Sequence, residues 1–297
     1  MAKSAVPMRV HRAEVVRVEE LSPAMRRVVF GGEDLASYAS TGVGDEYIRL
    51  LLPGPGQVEP PLPAVVDGDL DWSSIDLDLC RTYTVRAFDA GRGEITVDFV
   101  VHDGGVAAAW ALRAQPGDRI VLNTPSSLYD PPADLAWQIL VADYAGLPAL
   151  ARLLEQTPEH VGTRVVVEIA DDAHRIQLPA HPRAEVTWML GGNGHGPSRL
   201  EDVVRTLPRP GGVGYVWVAG EAKALRAVRK HLRHGLGLPA TAYKTVGYWI
   251  ENAEAHRAKY DALDPAVKDE LESMWTSDRD EEEIEDEYDA RLAQLGL

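Results

Sequence analysis

The pattern of apolar residues changes once along the chain, at Asp130-Pro131-Pro132. Before this point, short segments of alternating polar and apolar residues are separated by Gly, Pro and Asp, which is typical of antiparallel strands joined by turns. After it, apolar segments alternate with amphipathic segments of helical period, which indicates a parallel sheet with helices on both faces. The sequence therefore predicts an α/β two-domain protein, with an N-terminal antiparallel β-barrel over residues 1–130 and an α/β domain of nucleotide-binding type over residues 131–250.

The expected elements follow from these patterns. The barrel strands are expected at residues 10–18, 26–30, 47–52, 82–88, 95–101 and 119–122. The α/β domain is expected to have strands at 137–142, 164–169, 185–190 and 215–219, with helices at 147–155, 198–206 and 221–232. Residues 53–78, rich in Pro, Gly and Asp, are expected to form a long surface loop.

The last segment, residues 251–297, is acidic, and its apolar residues recur at roughly helical intervals. It is expected to form a helical extension packed against the rest of the protein. The acidic run at 278–287 is most simply a solvated helix face, and the alternative is a docking site for a redox partner or another subunit.

Charge and cysteine content exclude several classes of protein. The chain has 30 Lys and Arg against 46 Asp and Glu, a net charge of −16, which argues against a nucleic-acid partner or an anionic membrane surface. An anionic substrate must then be met by a local basic pocket. The one cysteine, Cys80, allows no intrachain disulfide and no cysteine-based metal cluster, and no metal site is expected. No apolar run has the length of a signal peptide or membrane span, so a cytoplasmic protein without membrane insertion is expected.

The segment Arg81-Thr82-Tyr83-Thr84-Val85-Arg86 places a guanidinium, an aromatic ring and hydroxyls on one predicted strand. This set suits a flavin dinucleotide, because it offers a charge for the pyrophosphate, a flat face for the isoalloxazine and a donor near its reactive nitrogen. Side chains alternate on an extended strand, so Arg81, Tyr83 and Val85 are expected on one face. The alternative is an ordinary solvated edge strand.

A second cluster begins at the end of the strand predicted at 95–102. There, Asp103-Gly104-Gly105 leads into a predicted helix at 106–113. A glycine turn at a helix N-terminus presents free backbone N–H groups, which would accommodate a pyrophosphate. His102 lies at the mouth of this turn, where it could hydrogen-bond a flavin or substrate, and the alternative is an ordinary histidine at a strand end.

These features, in this order, resemble the siderophore-interacting proteins, the flavin-dependent ferric-siderophore reductases of the ferredoxin–NADP reductase superfamily. The matching segments are Arg81-Thr82-Tyr83-Thr84-Val85-Arg86, Asp98-Phe99-Val100-Val101-His102, Trp110-Ala111, Ala114-Gln115-Pro116-Gly117-Asp118, Leu147-Pro148-Ala149, Val218-Ala219-Gly220-Glu221 and Gly247-Tyr248-Trp249. The acidic helical tail also resembles an extension that many members have.

The resemblance implies a binding site for FAD. Arg81 would contact the pyrophosphate, Tyr83 would stack on the isoalloxazine, and Thr84 would hydrogen-bond near its N5 atom. Thr84 and His102 would act as the catalytic residues by tuning the flavin. The further residues implied at the cofactor are Thr82, Val85, Asp98, Val100, Gly104, Gly105, Ala107, Ala108, Tyr248 and Trp249.

The chain also departs from the family pattern. Where the family usually has Asp-Glu-Thr-Ala-Leu-Pro-Ala, the chain reads Asp143-Tyr144-Ala145-Gly146-Leu147-Pro148-Ala149, which changes the groups available to a nicotinamide or substrate. The basic residue that commonly follows Tyr-Trp is Ile250 here. Lys244, Arg257 and Lys259 are the candidates to replace it at an anionic ferric siderophore, and each could instead be an ordinary surface charge.

The primary hypothesis is that NAD(P)H reduces FAD and that the flavin reduces a ferric siderophore at the cleft between the domains. Asp171 and Asp172, at the end of a predicted strand, would suit a ribose diol and slightly favour NADH, although Arg175 could reverse this preference. Ferredoxin is another possible donor, and the protein is expected to be a monomer. The alternatives are a non-enzymatic ferric-siderophore-binding protein and a general flavin reductase or ferredoxin–NADP-type oxidoreductase.

Overall fold

The computed structural model describes residues 9–66, 69–71, 73, 75–102, 105–192, 197–276, 279 and 281–297. The N-terminal strands are β1 (Val10–Ser22), β2 (Met25–Gly31), β3 (Tyr47–Leu51), β4 (Ala64–Val66), β5 (Asp69–Asp71), β6 (Cys80–Thr84), β7 (Ala87–Asp89), β8 (Glu94–Val100) and β9 (Arg119–Asn123). Seven of them form an antiparallel, barrel-like sheet in the order β6-β3-β9-β1-β2-β8-β7. This arrangement confirms the predicted fold of the N-terminal half.

The core of this sheet is aromatic and aliphatic. Helix α1 (Val106–Arg113) places Trp110 against Phe30 and Phe99, with ring centroids 6.0 and 5.6 Å apart. All three rings are buried, so α1 closes one end of the barrel with apolar surface that the strands alone would leave in water.

Two N-terminal expectations differ from the structure. The strand predicted at 82–88 is interrupted between β6 and β7, because the Val85 amide donates to the Glu46 carbonyl and the Arg86 amide donates to the Thr96 carbonyl. Residues 53–78 are also more than a loop, since they contain the antiparallel pair of strands β4 and β5 and the start of a short 3₁₀ helix at Leu77–Leu79.

The second half forms a five-stranded parallel sheet. Its strands are β10 (Trp137–Ala142), β11 (Gly162–Ile169), β12 (Ala184–Leu190), β13 (Gly214–Glu221) and β14 (Tyr243–Trp249), in the order β12-β11-β10-β13-β14. The crossover helices are α2 (Leu147–Gln156), α3 (Leu200–Thr206) and α4 (Ala222–Lys230). Strand β14 was not expected from the sequence pattern, and the other four strands lie where they were predicted.

Two separate apolar clusters cover the two faces of this parallel sheet. Leu150 and Leu154 of α2 pack into one cluster, whereas Leu225 and Val228 of α4 pack into the other. The sheet is therefore covered on both faces, and the carboxyl ends of its strands form the edge at which ligands bind in such folds. Among the described helices, none combines the length and hydropathy needed to cross a membrane.

The C-terminal segment is helical, as predicted, with α5 (Ala253–Asp261), α6 (Pro265–Met274) and α7 (Glu281–Gln294). The buried Arg229 of α4 forms ion pairs with Glu285, Asp286 and Asp289 of α7. Glu285 and Asp286 of the acidic run thus face the α/β domain and, with Asp289 beyond the run, neutralise a buried guanidinium, so the expectation of a solvated face is wrong for Glu285 and Asp286.

Buried polar contacts join the two domains. Arg152 of α2 donates to the carbonyl oxygen of Val85 at 2.6 Å and lies 3.8 Å from the Glu46 carboxylate. Glu46 also accepts hydrogen bonds from Tyr38 and Ser40 at 2.7 and 2.6 Å. Because both charged groups are buried and paired, this contact holds α2 against the residue that follows β6.

Candidate functional site

A cavity of about 400 Å³ lies where the barrel meets the carboxyl edge of the parallel sheet. Its walls combine aromatic, apolar and polar side chains from both domains. The lining residues are Arg81, Thr82, Tyr83, Thr84, Asp98, Val100, His102, Ala145, Pro148, Tyr248 and Trp249. Nine of these eleven residues were predicted at the cofactor, and the fold brings the segments that carry them together at one place.

Strand β6 forms the barrel side of the cavity. It is an edge strand, paired only with β3 among the described strands, so its other edge is open to a ligand. The Arg81 guanidinium donates to the carbonyl oxygens of Cys80 at 2.8 Å and Leu77 at 3.4 Å. Tyr83 packs against Phe99 with ring centroids 4.3 Å apart, and burial raises the pKa of its hydroxyl.

Thr84 links the two walls. Its hydroxyl lies 3.3 Å from the Tyr248 hydroxyl of β14, a hydrogen bond in which either group can be the donor. Burial raises the pKa of Tyr248 above its ordinary value, so this phenol stays protonated at neutral pH. This contact joins Thr84, which the resemblance places near a flavin, to Tyr248 of the α/β domain.

Asp98 is an acidic residue of the cavity lining whose charge is balanced by Arg27. Its carboxylate is buried and accepts two hydrogen bonds from the Arg27 guanidinium, at 2.7 and 2.8 Å. This bidentate geometry is the strong form of the Arg–carboxylate pair, and it balances the carboxylate charge beside the cavity.

Asp143 fixes the position of Trp249 on the α/β side of the cavity. The Trp249 indole N–H donates to Asp143 Oδ2 at 2.6 Å, while the Ala145 amide donates to Oδ1 at 2.9 Å. The carboxyl group is 1% exposed, and burial raises its pKa from 3.8 to about 7. A side chain at Gly220 would lie 2.7 Å from Asp143 Oδ2, so glycine at that position makes room for the carboxyl group.

His102 and Gly105 lie at the entrance to α1. The His102 side chain is exposed and lines the cavity. Gly105 has a φ of +76°, and a Cβ there would lie 3.0 Å from His102 Cε1, so both backbone conformation and space favour glycine. Gly104 lies outside the described residues. Ala107 and Ala108 are buried away from the cavity lining, so only their backbone amides could serve a ligand at this helix end.

Several predicted residues lie elsewhere. Val85 is buried in the barrel core and does not line the cavity, and its expected contact with the cofactor stays a prediction. The three candidate substrate cations are also outside the cavity lining. Arg257 pairs with Asp78, Lys259 donates to the carbonyl oxygen of Gly296 at 3.1 Å, and Lys244 lies half-buried on β14.

Comparison with known proteins identifies the family. Residues 14–129 match the siderophore-interacting FAD-binding domain, and residues 135–252 match the siderophore-interacting protein domain. The NADPH-dependent ferric-chelate reductase of Escherichia coli is 31% identical over 222 residues, which cover 74% of this chain and 85% of that protein. The chain belongs to the siderophore-interacting protein family.

Other members of the family agree in sequence and fold. The ferric vibriobactin reductase of Vibrio cholerae serotype O1 is 30% identical and covers 84% of this chain and 94% of its own length. The crystal structure of a siderophore utilization protein from T. fusca superimposes with a TM-score of 0.75 and 34% identity, over 83% of this chain and 95% of that one. This siderophore-interacting protein is therefore an FAD-dependent oxidoreductase.

The residues of the cavity fit FAD. Arg81 offers a guanidinium, Tyr83 offers an aromatic face braced by Phe99, and Gly105 leaves open the approach to the first amides of α1. A cavity of this volume is within the range of about 300–1,000 Å³ that cofactor sites usually have. The fit concerns the chemistry of the lining residues, which offer cationic, aromatic and hydroxyl groups in one place.

Sequence reasoning named the segment that contains Asp143, Ala145 and Pro148 but gave none of them a role, and it missed Arg27. Ala145 and Pro148 line the cavity, Asp143 holds Trp249, and Arg27 pairs with Asp98. Ala145, Pro148 and Asp143 all follow the carboxyl end of β10, where a parallel sheet places its ligands, but the local pattern does not tell which of these side chains reaches the cavity. Arg27 carried no comparable signal, because its partner is 71 residues away in the chain.

Proposed function

We propose that this protein is an NAD(P)H-dependent reductase of ferric siderophores, which reduces iron(III) to iron(II) and so releases it from its chelator. The single observation that supports this most strongly is the cavity shared by both domains. One wall carries the donor set for FAD, and the other is the strand-end edge at which α/β sheets bind nucleotides. The relatives named as ferric-chelate and ferric vibriobactin reductases support the same substrate class.

In this proposal the described residues bind and orient the cofactor. Arg81 and the first amides of α1 hold the pyrophosphate, and Tyr83 provides a face for the isoalloxazine. When bound, FAD accepts two electrons as hydride and passes them on one at a time. Thr84 and His102 provide hydrogen-bonding groups beside the ring system and tune its environment, because electron transfer itself requires no protein acid or base.

Tyr248 and Trp249 form the opposite wall. Their positions are set by the Thr84 hydroxyl and the Asp143 carboxylate, at 3.3 and 2.6 Å respectively. Two aromatic side chains held this way exclude water from the α/β side of the cavity. The electron donor and the acceptor then enter through its open side. The full proposed cofactor site also includes Thr82, Asp98, Val100, Gly104, Gly105, Ala107 and Ala108.

The donor preference rests on the carboxyl end of β11. Asp171 and Asp172 follow this strand, and carboxylates there suit the ribose diol of NADH. Arg175 is the cation that could instead meet the 2′-phosphate of NADPH, the donor named for the E. coli relative. In the structure Arg175 is paired with Asp172 at 2.8 Å and lies over the Trp188 ring, an arrangement that supports a slight preference for NADH.

Trapping of ferrous iron tests the proposal. The FAD-loaded protein, with NADH or NADPH under anaerobic conditions, should produce a ferrous chelator complex from a ferric siderophore. Arg81→Gln should lower the rate at limiting FAD because it removes the proposed pyrophosphate contact, whereas Arg92→Gln, at an exposed turn remote from the cavity lining, should not. Absence of ferrous iron from every ferric siderophore tried, despite a reduced flavin, would refute the proposal.

The proposal also places the reaction in the cytoplasm and takes the protein as a monomer. Cell fractionation and gel filtration with light scattering measure these two properties directly. Ferredoxin as the donor would be indicated if reduced ferredoxin, and neither pyridine nucleotide, bleached the flavin.

A further inference from the structure

The charge of the cavity bears on which ferric chelates it admits. Among the described lining residues, Arg81 is the one side chain with a fixed positive charge. The other charged group, Asp98, is balanced by Arg27. The remaining side chains of the lining are hydroxyl, aromatic, aliphatic or imidazole groups. Under the proposed function Arg81 is already committed to the pyrophosphate of FAD, so little positive charge is left for a second ligand.

The three basic residues that the sequence offered as ligands for an anionic chelate already have partners. Arg257 of α5 forms an ion pair with Asp78, in the 3₁₀ helix that leads into β6. Lys259 donates to the Gly296 carbonyl oxygen, at the end of the chain. Lys244 is half-buried, and its charge acts on the buried carboxyl group of Asp45. An anionic ligand would have to compete with these contacts to bind any of the three.

The segments that flank the lining residues, Asp76-Leu77 before β6 and Ile250 after β14, are apolar and acidic, and we call them the mouth of the cavity. Leu77 is 59% exposed, and its carbonyl oxygen accepts from Arg81. Ile250, directly after Trp249, is 38% exposed. Asp76 directly precedes Leu77, Asp78 is balanced by Arg257, and the whole chain carries a net charge of −16. A multiply charged anion approaching this face meets repulsion rather than steering.

Ferric siderophores differ in charge by ligand chemistry. Three hydroxamates, each a monoanion, give a neutral iron(III) complex, whereas three catecholates, each a dianion, give a triply negative one. We infer that this protein selects neutral or cationic ferric chelates of the trihydroxamate class, through a site with one committed cation and an apolar, acidic mouth. This inference rests on the proposed function and specifies its substrate class.

The electron balance of the reaction is the same for either class. Each iron(III) accepts one electron and becomes iron(II), while the chelator is unchanged. One NAD(P)H therefore reduces two ferric chelates and yields NAD(P)⁺, two ferrous chelates and one proton. Selection must then arise in binding, which gallium(III) complexes report without electron transfer because gallium(III) is not reduced under these conditions.

Calorimetric titration of the FAD-loaded protein with two gallium(III) complexes tests the inference. The probes are gallium(III) desferrioxamine B, a trihydroxamate complex with one positive charge, and gallium(III) enterobactin, a triply negative tris-catecholate. We expect the trihydroxamate to bind on the order of tenfold more tightly at low salt, with a smaller difference at high salt as screening weakens the repulsion. Equal or tighter binding of the tris-catecholate would overturn the inference.

Matched charge variants locate the effect. Ile250→Lys should tighten binding of the gallium tris-catecholate severalfold, whereas Val186→Lys, on the opposite edge strand and 41% exposed, adds the same charge and should leave it unchanged. An equal response of the two variants would show that total charge, not the mouth, sets the preference, and would refute the inference.

Rates with the ferric forms of both chelates separate the inference from the proposed function. Reduction of the tris-catecholate in preference to the trihydroxamate refutes the charge preference and leaves the reductase function standing. Reduction of neither complex, with the binding preference intact, refutes the reductase function and leaves the charge preference standing. Binding of neither complex refutes both.

Discussion

The buried carboxyl group of Asp143 makes a testable contribution to the pH dependence of stability. Burial raises its pKa from 3.8 to about 7, and the charge of Glu168 on β11 acts in the same direction. Below pH 3.8 the Asp143 carboxyl group is protonated in both the folded and the unfolded chain. As the pH rises towards 7 the unfolded chain loses it first, so this group's contribution to stability falls with pH and becomes constant above the folded-state pKa.

The perturbation is Asp143→Asn. At 1.36 kcal/mol per pKa unit, the difference between the two pKa values corresponds to a total of about 4 kcal/mol between the acid and alkaline limits, of which about 2 kcal/mol is lost between pH 5.5 and pH 8. Asn has no such titration, so the variant should gain about 2 kcal/mol on the wild type over this interval. The interval avoids the isoelectric point near 5.0, where precipitation would interfere.

The substitution should also change the free energy of unfolding by an amount that does not depend on pH. Oδ1 of residue 143 accepts from Ala145 and Gly146, so the amide NH₂ of Asn would face the Trp249 N–H and lose its hydrogen bond. At the alkaline limit, where the carboxyl group of the wild type is charged, loss of this hydrogen bond costs about 1.5–3 kcal/mol. Because only the slope against pH carries the titration, the offset does not affect the test.

Urea unfolding, followed by circular dichroism in the same excess of FAD, measures both proteins at half-unit steps of pH. The exposed Asp134→Asn variant removes one carboxylate from the surface and should track the wild type throughout. A difference between Asp143→Asn and wild type that stays constant from pH 5.5 to 8 would show that Asp143 is not a buried acid of raised pKa, and would refute this reasoning.

Three other predictions concern a buried ion pair, a hydrogen bond across the cavity and the proposed pyrophosphate contact. Arg152→Met leaves the fully buried Glu46 without its ion-pair partner and should lower the free energy of unfolding in urea by about 3–5 kcal/mol, whereas Arg164→Met should change it by less than about 1 kcal/mol. A smaller loss for Arg152→Met would mean that the domain contact is held by apolar packing. The double-mutant cycle of Thr84→Val and Tyr248→Phe should give a coupling of about 0.5–1.5 kcal/mol in the same assay, and additivity would contradict the hydrogen bond. Arg81→Gln should weaken FAD binding, measured by fluorescence quenching, by about 10- to 100-fold, and an unchanged Kd would exclude a pyrophosphate contact.

Local periodicity predicted most of the fold. The strand expected at 137–142 is β10 with the same bounds, because a continuous apolar run is what a strand covered on both faces requires. Strand β14 escaped prediction because Thr245, Gly247 and Tyr248 interrupt any regular alternation. Its pairing with β13 also shifts register after Gly220, so partner contacts rather than the local pattern determine it.

The candidate site could be predicted only in part. Arg81, Tyr83 and Thr84 stood out because their chemistry is unusual for a strand. Val85 lies outside the cavity lining because β6 ends at Thr84, where the Val85 amide donates to the distant carbonyl of Glu46. The partners of Arg257 and Asp143 were invisible for the same reason, since Asp78 and Trp249 lie far away in the chain.

The most direct test of the central claim is an anaerobic stopped-flow experiment on the FAD-loaded protein. The visible flavin absorbance should bleach on mixing with NADH or NADPH and return on mixing with ferric desferrioxamine B, with two ferrous ions trapped for each flavin reoxidised. The same protein without added FAD should show neither change. A flavin that bleaches with the nucleotide, and stays bleached in the presence of every ferric siderophore while oxygen or a quinone reoxidises it, would contradict the assignment as a ferric-siderophore reductase.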